Sequence, residues 1–392
     1  MRRHRVLRGV RPLNRTLHLV ALPHTQTTSD YPSCAYTQKV VKFCRMMQPL
    51  GWDVVLYAGE HNDAPVAEHV QLISEAERSA WFGEGFDTVL TPLRWDAEMP
   101  YWRTQAARAR AAIKQRASER DLILISTGTQ WPIRDAFPFP SRIVCEPFVG
   151  YEGVATEFRA FESATFMHTV YAKRGIVDGR DPDAVIPNYF DMDEFPHVSS
   201  GGDYLLYVGR LVRRKGVLVA AEVAKAAGLP LKIAGPGALE YKPGEVLVAP
   251  EFRLEGDHFE YVGEVGVHDR AELMAGAHAL LAPTSFLEPF GGVAVEAQLC
   301  GTPAITTDHG AFMETVDSAF RFRNMQGALD AVQLAGEIDR PTLRELTISR
   351  YSLEAVAPLY DAWFGRLLDL WNAGWYELRG SHTSALAERI RA

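Results

Sequence analysis

The feature that most limits what this chain can fold into is a rhythm that occurs twice. Short runs of β-branched and aliphatic residues are each followed by a longer stretch with helical spacing. In the first half the runs are TLHLVAL (16–22), WDVVLYA (52–58), DLILIS (121–126) and RIVCE (142–146). In the second they are YLLYVG (204–209), PLKIAG (230–235), EYVGEV (260–265), HALLAPT (278–284) and PAITT (303–307). Strands of this kind alternating with helices predict parallel sheets covered on both faces. Between the two series lies VIPNYFDMDEFPHVSSGG (185–202), whose Pro, Asp, Ser and Gly density marks a connection. At 392 residues the chain is longer than one ordinary core organises. The pattern predicts an N-terminal unit over 1–186, a linker over 187–202 and a second unit over 203–350. A helix pair over 351–376 should pack back towards the first unit, with a polar tail over 377–392.

Composition then narrows the class. With 47% hydrophobic and 23% charged residues the chain reads as globular, and no apolar run approaches the length of a membrane span. The start, MRRHRVLRGVRPLNR, is basic but lacks the apolar centre of a secretory signal. Cys34, Cys44, Cys145 and Cys300 are scattered, which fits a reducing, cytoplasmic setting better than a disulfide framework. The net charge of -8 argues against a protein that coats nucleic acid, yet the charge is uneven. Residues 1–15 carry six arginines and no acid, and residues 101–120 carry six basic side chains against Glu119. In the second stretch Trp102, Ala106, Ala109 and Ile113 form an inward helical stripe, and Arg103, Arg110 and Lys114 share another face. Two readings stay open: a solvated helix face, or a contact surface for DNA or an anionic membrane.

In open parallel sheets, ligands bind beyond the C-terminal ends of the strands, and the strand ends here hold the informative residues. In YVGRLVRRKG, Gly209 closes a strand, and Arg210 and Lys215 stand where a helix is about to begin, a setting suited to a phosphate or diphosphate. In IAGPG, Gly235 and Gly237 leave a strand end open to close approach. In SFLEPFGGVAVEAQL, Glu288 sits at the mouth of a strand, and Phe290, Gly291 and Gly292 lead into a helix carrying Glu296. One carboxylate can accept hydrogen bonds from two hydroxyls at once, as a ribose diol would offer. The alternative is that internal salt bridges tie up both acids. Neither a GxGxxG fingerprint nor a P-loop is present. In the first half, His24 follows the first strand, Glu146 ends RIVCE, and Tyr151 lies just beyond.

The run EPFGGVAVEAQLCGTPAITTDHGAFMET resembles the E-x7-E signature of the family 4 glycosyltransferases, with Glu314 as the later acid of the pattern. YVGRLVRRKG resembles that family's GRLxxxKG, and VIPNYFDMDEF its VIPNGVDxxxF between domains. EYVGEVGVHDRAELMAGAHALLAPTS also follows the family's course, so the likeness extends over roughly 183–317. It implies the GT-B fold, an α/β architecture of two Rossmann-like domains facing a central cleft. It further implies transfer of a sugar from a nucleoside-diphosphate sugar, UDP- or GDP-linked, to a hydroxyl acceptor, with retention and without a metal or other cofactor. By the same likeness Arg210 and Lys215 would bind the diphosphate, and Glu288 would hydrogen-bond the transferred sugar. Phe290, Gly291 and Gly292 would offer backbone N–H groups, and Glu296 would hold the ribose.

The first half departs from the family. Where a glycine-rich loop is common, this chain has LPHTQTTSDYPSCAYTQK, with His24 at the edge that meets sugar or phosphate. Where the family often has a His-Asp pair, it has Glu146, which on this reading contacts the transferred sugar or orients the acceptor. Other readings are the same transfer onto a hydroxylated base in DNA or onto a membrane lipid, a sugar phosphorylase, and a non-catalytic nucleotide- or DNA-binding protein. No pyridoxal-phosphate motif supports the phosphorylase. Arg210, Lys215, Glu288 and Glu296 together favour an enzyme over a passive binder.

Overall fold

The apolar runs become two parallel sheets in the computed structural model, which describes residues 15–29, 31, 34–83, 93–118 and 120–369. The first sheet is built from β1 (Thr16–Val20), β2 (Asp53–Gly59), β3 (Glu68–Ile73), β4 (Leu122–Ile125), β5 (Ile143–Val149), β6 (Phe158–Phe161) and β7 (Ala184–Val185). Its order is β3-β2-β1-β4-β5-β6-β7, all parallel. The connections carry α1 (Ala35–Met47), α2 (Glu75–Phe82), α3 (Pro100–Arg116), α4 (Trp131–Asp135) and α5 (Ala164–Lys173). Leu17, Leu19, Leu122 and Leu124 fill one face of the sheet, and Val20, Ile123, Ile125 and Tyr57 the other. That two-sided burial is why these strands are apolar throughout. On α3 the buried residues include the expected Trp102, Ala106, Ala109 and Ile113.

The second sheet comprises β8 (Leu205–Val208), β9 (Leu231–Ala234), β13 (Phe259–Gly263), β14 (Ala279–Ala282), β15 (Ala304–Thr307) and β16 (Arg321–Phe322), in the order β13-β9-β8-β14-β15-β16. Between β9 and β13 the chain inserts an antiparallel meander, β10 (Glu240–Lys242), β11 (Val246–Ala249) and β12 (Phe252–Glu255). The helices of this half are α6 (Val217–Ala227), α7 (Val267–Gly276), α8 (Gly292–Leu299), the short α9 (Phe312–Thr315), α10 (Met325–Ala335) and α11 (Arg340–Tyr351). Both sheets turn the C-terminal ends of their central strands towards loops that line a common cleft.

Of the helix pair expected over 351–376, the described part holds one helix, set off by a break after α11, and residues 370–376 lie outside the described residues. The break falls at Ser352, which is extended (φ -67°, ψ 162°) and whose hydroxyl accepts the N–H of Ala355, starting α12 (Leu353–Asp369). Val356, Tyr360, Trp363, Phe364 and Leu367 of α12 then enter the core of the first half. Tyr360 donates to the Pro147 carbonyl at 2.7 Å, and Trp363 to that of Pro182 at 2.8 Å. The chain thus crosses between halves twice, and the crossings touch: the Phe190 N–H bonds the Tyr351 carbonyl, and the Leu353 N–H bonds that of Phe190. The arginine-rich start up to residue 14 and the polar tail lie outside the described residues. Among the described residues, no helix is long and apolar enough to cross a membrane.

Candidate active site

At the C-terminal ends of β8 and β14 a cavity of about 300 Å³ opens. Gly209, Arg210, Lys215, Glu288, Gly291 and Glu296 all line it, so residues read from two separate motifs converge there. Local backbone chemistry explains the convergence. Gly216 is left-handed (φ 83°) and packs against the Pro283 carbonyl with no room for a Cβ, which brings the turn bearing Lys215 onto the end of β14. Gly291 is also left-handed (φ 78°), lies against the Phe312 ring with no room for a Cβ, and begins α8. With no side chain at Gly291 or Gly292, the N-terminal N–H groups of α8 stay open to the cavity, and the helix dipole favours an anion there.

Both acids of the FLEPFGGVAVE run have cationic partners and still face the cavity. Glu288 pairs with Lys215. Glu296 is held by Arg270 through Nε at 2.9 Å and a second guanidinium nitrogen at 3.3 Å. The ion-pair reading and the ligand reading are therefore compatible. A carboxylate offers about four acceptor positions, and these two side chains keep 14% and 17% exposure. Among the described residues the Arg210 guanidinium has no hydrogen-bond or ion-pair partner, and it is exposed. It remains available to an anion. Burial pushes the Tyr207 hydroxyl well up from its usual range, with the Glu288 charge adding to the rise, so Tyr207 stays a neutral donor beneath the site. Arg270, on the first turn of α7, escaped the sequence reading. Its signal was present in GEVGVHDRAEL, where a basic residue opens a helix that follows a strand.

A second cavity, of about 420 Å³, shares Glu288, Gly291, Gly292, Glu296 and Arg270 with the first and continues across the cleft. Phe290 lines it as well, its ring packed near Phe190 and Tyr351. On the far side it meets Tyr36, Lys39 and Lys42 of α1, together with Gly150, Glu162 and Asn188. Lys39 pairs with Glu162, and Lys42 with Glu194. The halves are joined beside this cavity. Ser163 donates to the Pro289 carbonyl at 2.6 Å, and the Glu314 carboxylate accepts the N–H groups of Ala164 and Thr165 at 2.9 and 2.8 Å. Glu314, the later acid of the motif, thus caps the N-terminus of α5 in the other half.

The expected sites of the first half lie elsewhere. Glu146 was expected at a strand end, but β5 runs on to Val149 and carries Glu146 inside it, with no exposure. Its carboxylate accepts the N–H groups of Ala155 and Thr156 (2.9 and 2.7 Å) and the hydroxyl of Tyr151 (2.6 Å). Burial pushes its pKa up, and those donors pull it back. Glu146 and Tyr151 line neither cavity and instead close the loop after β5. His24 also lines neither. It is buried near Phe82 and Trp95, and desolvation, followed by the Arg78 charge, lowers its pKa to about 4. Gly235 (φ 136°) and Gly237 (φ 114°) let β9 end against Gly209 and Leu211, so they shape the wall that carries Arg210 without lining the cavity. Sequence reasoning passed over Lys39, Glu162 and Asn188. The local trace they left was the helix-capping Ser163 that follows Glu162.

Comparison with known proteins fits this geometry. Residues 191–338 match the family model described as Glycosyl transferases group 1. A glycogen synthase of Mycobacterium tuberculosis is 34% identical over 34% of this chain and 33% of its own length. An uncharacterized glycosyltransferase of Methanocaldococcus jannaschii is 35% identical over 29% and 32%. The chain thus spans about a third of the length of the curated relatives it matches. Among solved structures, a sucrose-phosphate synthase from Thermosynechococcus elongatus superposes with a TM-score of 0.62 at 17% identity, over 90% of this chain and 99% of its own. AviGT4, a glycosyltransferase involved in avilamycin A biosynthesis, superposes with a TM-score of 0.60 at 22% identity, over 90% and 98%. HepE of Anabaena, solved with UDP and glucose, gives 0.58 at 14% identity, over 90% and 100%. The two parallel-sheet halves and these superpositions show the GT-B fold.

Proposed function

We propose that this chain is a glycosyltransferase of the family 4 type, moving a sugar from a nucleoside-diphosphate sugar to a hydroxyl acceptor with retention. The observation that carries the reading is one cavity lined by Arg210, Lys215, Glu288, Glu296 and the start of α8. Arg210, Lys215 and the α8 N-terminus supply positive potential for a diphosphate and for the charge that grows as the sugar–phosphate bond breaks. Glu296, steadied by Arg270, accepts the two ribose hydroxyls. Glu288, steadied by Lys215, accepts hydroxyls of the sugar. The donor charge is thereby met by protein cations, and no metal is assigned a role. The glycosyl transferases group 1 match covers this half, and HepE, which shares the fold, was solved with UDP and glucose, so UDP- and GDP-linked donors are the first to try.

Calorimetric titration with UDP, GDP and ADP in the presence of EDTA tests the site. One nucleotide should bind, and Lys215→Ala should weaken it tenfold or more, the loss of a charged contact being worth about 1.5–3 kcal/mol. If none binds at millimolar concentration, the assignment fails. Once an acceptor is found, the anomeric configuration of the product, read by NMR, decides retention.

A macromolecular anionic acceptor is the second reading. A surface groove of about 730 Å³ contains Arg103 and Arg110 of α3 beside Trp131, and among the described residues neither arginine has an ion-pair partner. Arg108 and Arg116, by contrast, are paired with Glu77 and Glu68. Binding to DNA or to anionic vesicles that weakens steeply with salt would favour this reading; salt-independent binding of a neutral glycan would remove it.

A further inference from the structure

Glu162 directly follows β6 in the first half, and its side chain is only 7% exposed. It nevertheless lines the cavity that continues from Glu288 and Glu296. A carboxylate so placed needs partners, and it has two: Lys39 on one oxygen and the Asn188 amide on the other at 3.2 Å. Its other acceptor positions are not filled by any protein donor among the described residues. Lys39 also lies 4.7 Å from the centroid of the Tyr36 ring, a cation–π contact that helps hold it in place. The carboxylate rests directly over Gly150, where a Cβ would come within 2.7 Å of both oxygens and of Cδ. Its seat therefore depends on a glycine in the same wall, just past the neighbouring strand β5.

The position of Glu162 relative to the second half is also set. The next residue, Ser163, donates to the carbonyl of Pro289, the residue after Glu288. Glu314 clasps the two N–H groups that follow. Glu162 and Glu288 are thus each one residue away from a single hydrogen bond that spans the cleft. Each is a carboxylate paired with a lysine, and both line the same cavity.

We propose that the transferred sugar is gripped between these two lysine-paired carboxylates, Glu288 from one half and Glu162 from the other, and that Glu162 is the first-half residue that recognises it. This rests on the donor-site reading above. Two fixed acceptors on opposite walls fit a neutral sugar with hydroxyls on two sides. They disfavour an acidic sugar, whose carboxylate would stand against both. Glu162 acts by accepting hydroxyl hydrogen bonds, and no bond is made or broken at it.

The test compares, by calorimetry on the full chain, UDP with UDP-glucose, GDP with GDP-mannose, and ADP with ADP-glucose. The proteins are the wild type, Glu162→Gln, Gly150→Ala and Lys215→Ala. Glu162→Gln keeps the side-chain shape and its bond to Lys39, and Gly150→Ala displaces the carboxylate while leaving it present; thermal melting confirms that each is folded. The expected result is selective. Affinity for the nucleotide sugar that binds the wild type falls about tenfold in both variants, in line with the loss of a charged hydrogen bond, while affinity for its bare nucleotide is unchanged. Lys215→Ala weakens both ligands. If Glu162→Gln and Gly150→Ala bind nucleotide and nucleotide sugar as the wild type does, or lose both equally, the grip is overturned and the donor site stands. If the wild type binds none of the six ligands, the donor site falls and the grip with it.

Discussion

His24 shows how one side chain can make the fold sensitive to acid. Its folded pKa lies near 4 because burial disfavours the imidazolium and Arg78 repels it, whereas an unfolded histidine titrates near 6.5. Between those values the unfolded chain binds the extra proton, so stability falls as pH drops from about 6.5 towards 4 and is unaffected above that window. The shift corresponds to a loss on the order of 3 kcal/mol. Thermal melts at pH 7 and pH 5 should show about 2 kcal/mol of it, and His24→Gln should flatten the difference. The glycine at 216 makes a separate prediction. Gly216→Ala places a Cβ against the Pro283 carbonyl in a left-handed backbone, which should cost about 1–3 kcal/mol from backbone strain alone. Because the turn it closes carries Lys215, nucleotide affinity should fall along with the melting temperature.

At the level of elements, α12 is the decisive one. It lies at the far end of the described chain, yet Tyr360, Trp363 and Phe364 are buried beside Phe43, Trp52 and Phe148 of the first half. Trp363→Ala should destabilise that half by about 3–5 kcal/mol. Amide exchange should show the larger loss of protection in β1, β2 and α1 and the smaller in β8 and β14. The strands and helices that could be read beforehand were those buried on both faces, such as Leu122–Ile125 and Leu205–Val208, where an apolar run leaves little choice. Those that escaped carry polar groups satisfied only by distant partners. β6 contains Arg159, buried in an ion pair with Asp183, and β3 at the sheet edge is mostly polar on its exposed side. The same logic governs the site. Arg210, Lys215, Glu288 and Glu296 were legible because short-range spacing places them at strand ends. Glu146 was misplaced because β5 continues three residues past it, with its carboxylate held by Tyr151, Ala155 and Thr156. Lys39, Glu162 and Asn188 meet only through tertiary packing across 150 residues of chain, which no local window contains.

At the scale of the whole molecule, ligand at one half should stabilise both. Ser163 and Glu314 bridge the cleft, and the two crossings are bonded to each other at Phe190, Tyr351 and Leu353. A nucleotide at 100 times its Kd adds about 2.7 kcal/mol. Its effect should appear as an upward shift of one joint melting transition, monitored by scanning calorimetry; a shift of only one of two resolved transitions would show that the halves unfold separately. The return of α12 has a consequence for synthesis as well. The second half is a continuous stretch inserted between two portions of the first, so it can close its core while the chain is still emerging from the ribosome. The first half is translated earlier, but it has to hold its unfinished apolar face until residues 353–369 are released. The order of completion is the reverse of the order of translation, and the interval between them is when this protein is most exposed to aggregation.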